Sequence, residues 1–188
     1  MVKIFINPGH APNGKPDPGA SNPNTGLREC DVALAVGNMV AEYLQNVGYE
    51  VQVLQSNSLS EICDAANSWP ADLFISIHCN AFNTAAKGTE TCVFSSFGAR
   101  LEYASPCSKK LGEYIQSQIV KSLGTVDRGL KPRTPGVNGL YVLTNTDMPA
   151  VLSELAFIDN DEDAALLTNH QDDFAAAIAR GVTDWLSF

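Results

Sequence analysis

The 188-residue chain has no run of about 20 apolar residues, the length needed to cross a bilayer core, so membrane insertion is not expected. Positive charge is scarce: 12 Lys and Arg stand against 21 Asp and Glu, for a formal net charge of −9. Nucleic-acid binding relies on a basic surface that displaces counterions, so no nucleic-acid partner is expected. The opening residues Met1-Val2-Lys3-Ile4-Phe5-Ile6 enter strand-like sequence at once, with no charged segment followed by an apolar one; a secretory signal is not expected in this chain. The 5 cysteines are odd in number, widely spaced and include no C-x-x-C pair. Free, mostly buried thiols are expected, rather than disulfides or a zinc knuckle. Also missing are G-x-G-x-x-G, a Walker A loop, G-x-S-x-G and H-E-x-x-H. Dinucleotide, nucleotide, serine-hydrolase and zincin readings lose their main support.

What is present is the composition of an ordinary globular domain, 45% hydrophobic and 18% charged. A chain of this length buries roughly 70% of its unfolded surface as one domain, so residues 1–188 are expected to form a single catalytic unit. The first apolar run, Ile4 to Ile6, reads as a strand, and the Pro-, Gly- and Asn-rich stretch 11–26 as a long loop. Helical spacing over 32–47 ends at Gly48, 51–54 reads as a strand, and 58–69 as a helix with Ser58 or Ser60 as its N-cap. Residues 72–78 and 88–95 read as strands joined by a polar turn. A helix is expected over 101–123 with a break at Pro106, then a loop over 124–138. Short strands are expected at Leu140-Tyr141-Val142-Leu143 and at 150–155, and one or two amphipathic helices over 161–186. Alternating strands and helices predict an α/β fold: one three-layer domain, a mostly parallel twisted sheet of about six strands, helices on both faces. The connection from the third to the fourth strand is too short for a parallel crossover, so at least one antiparallel pair is expected.

Three apolar runs end in residues that can ligate a metal or move a proton: Ile4 to His10, Leu73 to His78, and Val151 to Glu154. In open α/β sheets the ligand crevice lies beyond the carboxyl ends of the strands, and two of the 3 histidines sit there. Two histidines with one carboxylate form a known ligand set for catalytic zinc. Glu29, at the start of the first helix after the polar loop, is the candidate third ligand, although a Glu in a first turn also simply complements the helix dipole. Glu154 is embedded in apolar sequence, so it needs a metal, a cation or hydrogen bonds, and burial would raise its pKa toward that of a general base.

Asn7-Pro8-Gly9-His10, Asp17-Pro18-Gly19-Ala20 and Gly26-Leu27-Arg28-Glu29 together resemble the opening of the zinc-dependent N-acetylmuramoyl-L-alanine amidases. Ser76-Ile77-His78-Cys79-Asn80-Ala81 resembles their second histidine motif, and Pro149 to Ile158 their catalytic-glutamate motif; Arg128-Gly129-Leu130-Lys131 and the strand at Leu140 also fit. The resemblance spans nearly the whole chain in the right order. It implies that His10, Glu29 and His78 bind one zinc ion and that Glu154 is the catalytic acid/base. The implied substrate is peptidoglycan, cut at the amide between N-acetylmuramic acid and the L-alanine of the stem peptide, and the implied place of action is the bacterial cell wall, as an autolysin or a phage endolysin.

Two rival readings remain open at this level: a zinc peptidase cutting within the stem or cross-bridge peptide, and a non-catalytic wall-binding domain with a vestigial site. Asn7 stands where Asp is more usual in the family, losing a charge while keeping a turn-forming side chain. Cys79 beside His78 reads as a buried, inert thiol. No insertion between Cys79 and Leu101 is long enough for the plugging helix of some family members, so an open site is expected. Asn80 and Lys131 are candidate substrate contacts, although both residue types are ordinary in turns and on surfaces. Phe82, Phe97, Tyr103 and Tyr141 are expected in the core rather than in a groove, His170 at an exposed helix start, and the protein as a monomer.

Overall fold

The computed structural model describes residues 1–187. Its elements, in chain order, are β1 (Lys3–Pro8), α1 (Glu29–Val47), β2 (Glu50–Val53), α2 (Leu59–Ser68), β3 (Leu73–Asn80), β4 (Thr89–Phe94), α3 (Pro106–Leu123), β5 (Asp127–Arg133), α4 (Tyr141–Thr144), β6 (Ala150–Phe157), α5 (Asp161–Asn169) and α6 (Gln171–Leu186). Helix boundaries follow local chemistry. Ser58 Oγ accepts from Glu61 N at the start of α2, and Asn160 accepts from Glu162 N and Asp163 N at the start of α5. Pro106, expected to break a long helix, instead opens α3 at its first turn, where a missing N–H costs nothing. Gly48 ends α1 in the left-handed conformation.

Among the described residues the strands form one six-stranded sheet in the order β2-β1-β3-β6-β4-β5. All neighbours are parallel except β4 and β6. The expected antiparallel pair therefore exists, but not between consecutive strands: β6 inserts between β3 and β4 and is the antiparallel partner. Alternation along the strands divides the core in two. Ile4, Ile6, Ile75, Ile77, Val93 and Val151 face α1, α3 and α6. Phe5, Phe74, Cys92 and Leu152 face α2 and α4, with the Phe5 and Phe74 rings stacked at 5.8 Å. This second helical layer is the shorter one, and the functional residues open onto its side.

Two sequence readings are corrected. Residues 127–133, read as loop, form the edge strand β5; Gly129 and Pro132 hide it, because Pro is tolerated on an edge where no ladder donor is needed. The run Leu140-Tyr141-Val142-Leu143, read as a strand, forms the single turn α4, because Val142 and Leu143 are buried against the α2 side of the sheet and packing overrides β propensity.

Candidate active site

His10 lies two residues beyond β1 and takes a left-handed backbone conformation, φ +65°, uncommon for any residue but glycine. Gly9 before it is held by its N–H to Ile77 O, and a Cβ there would collide with the His78 imidazole. The two rings consequently approach to 5.0 Å between centroids, nearly edge to face. Glu29, the first residue of α1, is only 4% exposed and reaches both of them. Its Oε1 accepts from Cys79 N at 3.0 Å and lies 2.9 Å from His78 Nδ1; its Oε2 accepts from Ala20 N at 2.8 Å and lies 2.9 Å from His10 Nε2. One ligand atom from each of His10, Glu29 and His78 lies within 4.8 Å of the others, so the structure brings the three expected ligands together.

Asp17 completes this group, and sequence reasoning assigned it no role. Its Oδ2 lies 2.8 Å from His10 Nδ1 while Oδ1 accepts from Gly19 N at 2.9 Å. A carboxylate behind a histidine fixes the ring so that the other nitrogen faces the centre. The signal was present, because Asp17 belongs to the quoted Asp-Pro-Gly-Ala motif. The long 11–26 loop is thus an ordered device that delivers Asp17, Gly19 and the Ala20 amide to the site. Gly19, at φ +70°, leaves room where a Cβ would come within 2.5 Å of Glu29 Oε2 and the His10 ring.

The electrostatics favour a cation here. Burial opposes charge on His10, yet Glu29 and Asp17 outweigh it and raise its pKa to about 9. Burial likewise opposes ionisation of Glu29, but His10 and His78 hold its carboxyl well below the usual range. A site that pulls a proton onto an imidazole into alkaline solution is short of positive charge. Two imidazoles and one carboxylate are also the donor set that suits zinc.

Glu154 sits in β6 directly beside His78 of β3 and opposite Glu90 of β4. The residue is partly exposed, but Oε2 is buried with no hydrogen-bond partner. Burial first, and then the nearby Glu29 and Glu90 charges, raise its pKa to about 7, against the opposing pull of His78 and Arg133. Cys79 points to the opposite face of β3, into the α1 core, and burial holds its thiol well above the ordinary range, as expected of an inert cysteine. Asn7 is not a turn residue: buried in β1, it donates to Leu54 O at 3.1 Å and accepts from Ser76 Oγ at 2.8 Å, tying β1 to β3 and to the residue that follows β2 beneath the site.

Glu90 is a second residue that sequence reasoning missed. It is 6% exposed and accepts from Arg128 Nε at 2.8 Å and from Asn80 Nδ2 at 3.2 Å. Asn80 thus contacts Glu90, whereas Lys131 Nζ donates to Arg128 O at 2.8 Å. A cavity of about 320 Å³ runs from His10 and His78 toward Leu59, Ile62, Tyr141 and Leu152. Tyr141, expected in the core, is 47% exposed on its rim; Phe82, at 78%, Phe97 and Tyr103 are likewise on the surface. Tyr141 opens α4 and the other three lie between the main elements, all outside the two core clusters. His170 is exposed at the α5–α6 junction. Among the described residues no helix forms between Cys79 and Leu101.

Residues 4–184 match the N-acetylmuramoyl-L-alanine amidase family pattern. The chain is 37% identical to the N-acetylmuramoyl-L-alanine amidase CwlM of Bacillus licheniformis, an alignment covering 100% of this chain and 68% of that one. It is 35% identical to an endolysin of Bacillus phage SPP1, covering 98% and 66%. The fold matches the crystal structure of an N-acetylmuramoyl-L-alanine amidase from Clostridium difficile 630, with a TM-score of 0.82, 30% identity, and 99% and 97% of the two chains covered.

Proposed function

The chain belongs to the N-acetylmuramoyl-L-alanine amidase family, and we propose that it hydrolyses the amide between N-acetylmuramic acid and L-alanine in peptidoglycan, using a zinc ion held by His10, Glu29 and His78. The observation that carries this reading is the His-Glu-His cluster with an unpartnered Glu154 carboxyl oxygen on the same face of the sheet. The chemistry such an ion supplies when bound is Lewis acidity and the activation of water near neutral pH.

The protein's own residues supply the rest. Asp17 keeps His10 Nδ1 engaged, which leaves Nε2 toward the centre. Two backbone amides, of Ala20 and Cys79, hold Glu29 in place. Glu154 Oε2, free of any partner, takes a proton from the attacking water and passes it to the departing L-alanine nitrogen. Its pKa of about 7 suits both halves of that transfer. The cavity beside His10 and His78 accommodates one flank of the scissile bond, and the cell wall is the place of action.

Incubation with purified peptidoglycan tests this. The expected result is the appearance of L-alanine amino termini without new reducing ends, abolished by a chelator and restored by zinc. Glu154→Gln should retain zinc and lose activity by about 100-fold or more. New amino termini on any other residue would convert the enzyme to a peptidase, and near-normal turnover in Glu154→Gln would remove that residue from its role.

A further inference from the structure

In a chain of net charge −9, positive charge is concentrated beside the reacting centre. Arg128, Lys131 and Arg133 fall within β5, the edge strand two places from β6. Register decides which side they face. Glu90 pairs with Glu154 and Cys92 with Leu152, while Lys131 pairs with Cys92 and Arg133 with Phe94. Strict alternation therefore places Lys131 and Arg133 on the face that carries Glu154 and His78.

The three cations are unequally committed. Arg128 is engaged, with Nε at 2.8 Å from Glu90 and its guanidinium 4.8 Å over the Phe157 ring. Arg133 donates Nε to Cys92 Sγ at 3.2 Å and holds only a loose 3.9 Å approach to Glu90. Lys131 bonds a backbone carbonyl, and among the described residues no carboxylate lies within ion-pair distance of it. Asp127, the one acid on β5, is spent on the other face, accepting from Gln116 Nε2 at 2.8 Å. Two carboxylates, Glu90 and the more distant Glu154, thus answer three cations, and the surplus sits at the edge of the site.

We infer that Lys131 and Arg133 form a subsite for a free carboxylate on the second residue of the stem peptide, and so make the enzyme prefer acidic over amidated stems. The inference rests on the amidase reading and deepens it. Reach is consistent: neighbouring strands lie about 4.8 Å apart, and an extended peptide advances roughly 3.5 Å per residue. A carboxylate on the second residue past the cut bond comes within range of long side chains rooted two strands from Glu154. Both are donors without an acidic partner of their own at hydrogen-bond distance, so a carboxylate would gain charge-assisted bonds while competing only with the loose 3.9 Å approach of Arg133 to Glu90.

The test uses two synthetic disaccharide tetrapeptides that differ only in the second stem residue, glutamate with a free α-carboxyl or its α-carboxamide, isoglutamine. The wild-type protein should prefer the acid about tenfold, the scale of one hydrogen bond to a charged group, expressed in KM rather than kcat. Lys131→Met and Arg133→Met together should bring the ratio of the two KM values close to one, while Arg133→Lys, which keeps the charge, should retain part of the preference. Lys131→Met alone guards against misfolding, because its side chain anchors nothing but one exposed carbonyl. Equal KM values in the wild-type protein, or a preference that survives the double substitution, overturn the inference and leave the amidase reading standing. Failure to cleave either compound or intact peptidoglycan overturns the amidase reading and this inference with it.

Discussion

At the scale of single residues, the proposed site sets its carboxylates in opposing environments. Glu29 is buried among imidazoles and amides and stays ionised, whereas Glu154 is buried with one oxygen unpartnered and titrates near 7. Because proton removal from water needs the ionised form, kcat/KM should fall on the acid side of about 7, and the profile of Glu154→Gln should lack that limb. The sign for stability runs the other way. A carboxyl whose folded pKa is raised from 4.5 to about 7 favours the fold fully below 4.5, and this contribution is lost as pH rises through 7. Denaturant titration of the metal-free protein should show the wild type losing stability relative to Glu154→Gln across that interval. Asp17 acts through His10, so Asp17→Ala should weaken zinc binding by about 10- to 100-fold in chelator competition, with little change in fold. Unchanged affinity would reduce Asp17 to a loop anchor. His10 and His78 are legible from the apolar runs that precede them, whereas Glu154, expected at a strand end, lies inside β6, which continues to Phe157 because the residues after it are apolar and buried; Glu29 becomes legible through the motif resemblance. Asp17 and Glu90 were not singled out, because a carboxylate's role depends on what faces it.

At the scale of elements, five of the six strands and all the long helices were readable from periodicity and caps. The exceptions share a cause. The strand β5 contains Gly129 and Pro132, tolerable only because it lies at the edge, and α4 is a single turn shaped by burial of Val142 and Leu143. Both are set by tertiary position rather than by local preference. The side of the sheet away from the groove depends on close helix packing: a Cβ on Gly181 of α6 would come within 2.7 Å of Ile115 Cα in α3. Backbone there cannot yield as a side chain would. Gly181→Ala should therefore cost about 1–3 kcal/mol, seen as a fall of several degrees in Tm, with the pH profile of catalysis unaltered. No change in Tm would mean that α3 and α6 separate more easily than their packing implies.

At the scale of the whole molecule, the net charge of −9 sets how the enzyme meets its substrate. Like charge on a polyanionic wall repels it at long range, and salt screens that repulsion over about 8–10 Å near physiological ionic strength. Initial digestion rates on purified walls should rise when wall polyanions are stripped away, and this gain should shrink as salt is added. A gain that persists in high salt would indicate steric rather than electrostatic exclusion. The sequence by itself determined the alternation of strands and helices, the caps, the free buried thiols and the two histidine-bearing strand ends, because these depend on neighbours within a few residues. Only the tertiary structure decided that β6 enters between β3 and β4, which sets Glu154 beside His78 and opposite Glu90. It alone placed Asp17 behind His10 and the β5 cations on the catalytic face. Apart from the loop that folds Asp17 back onto His10, those relations join residues tens of positions apart through strand order and register, and pattern along the chain carries no record of either.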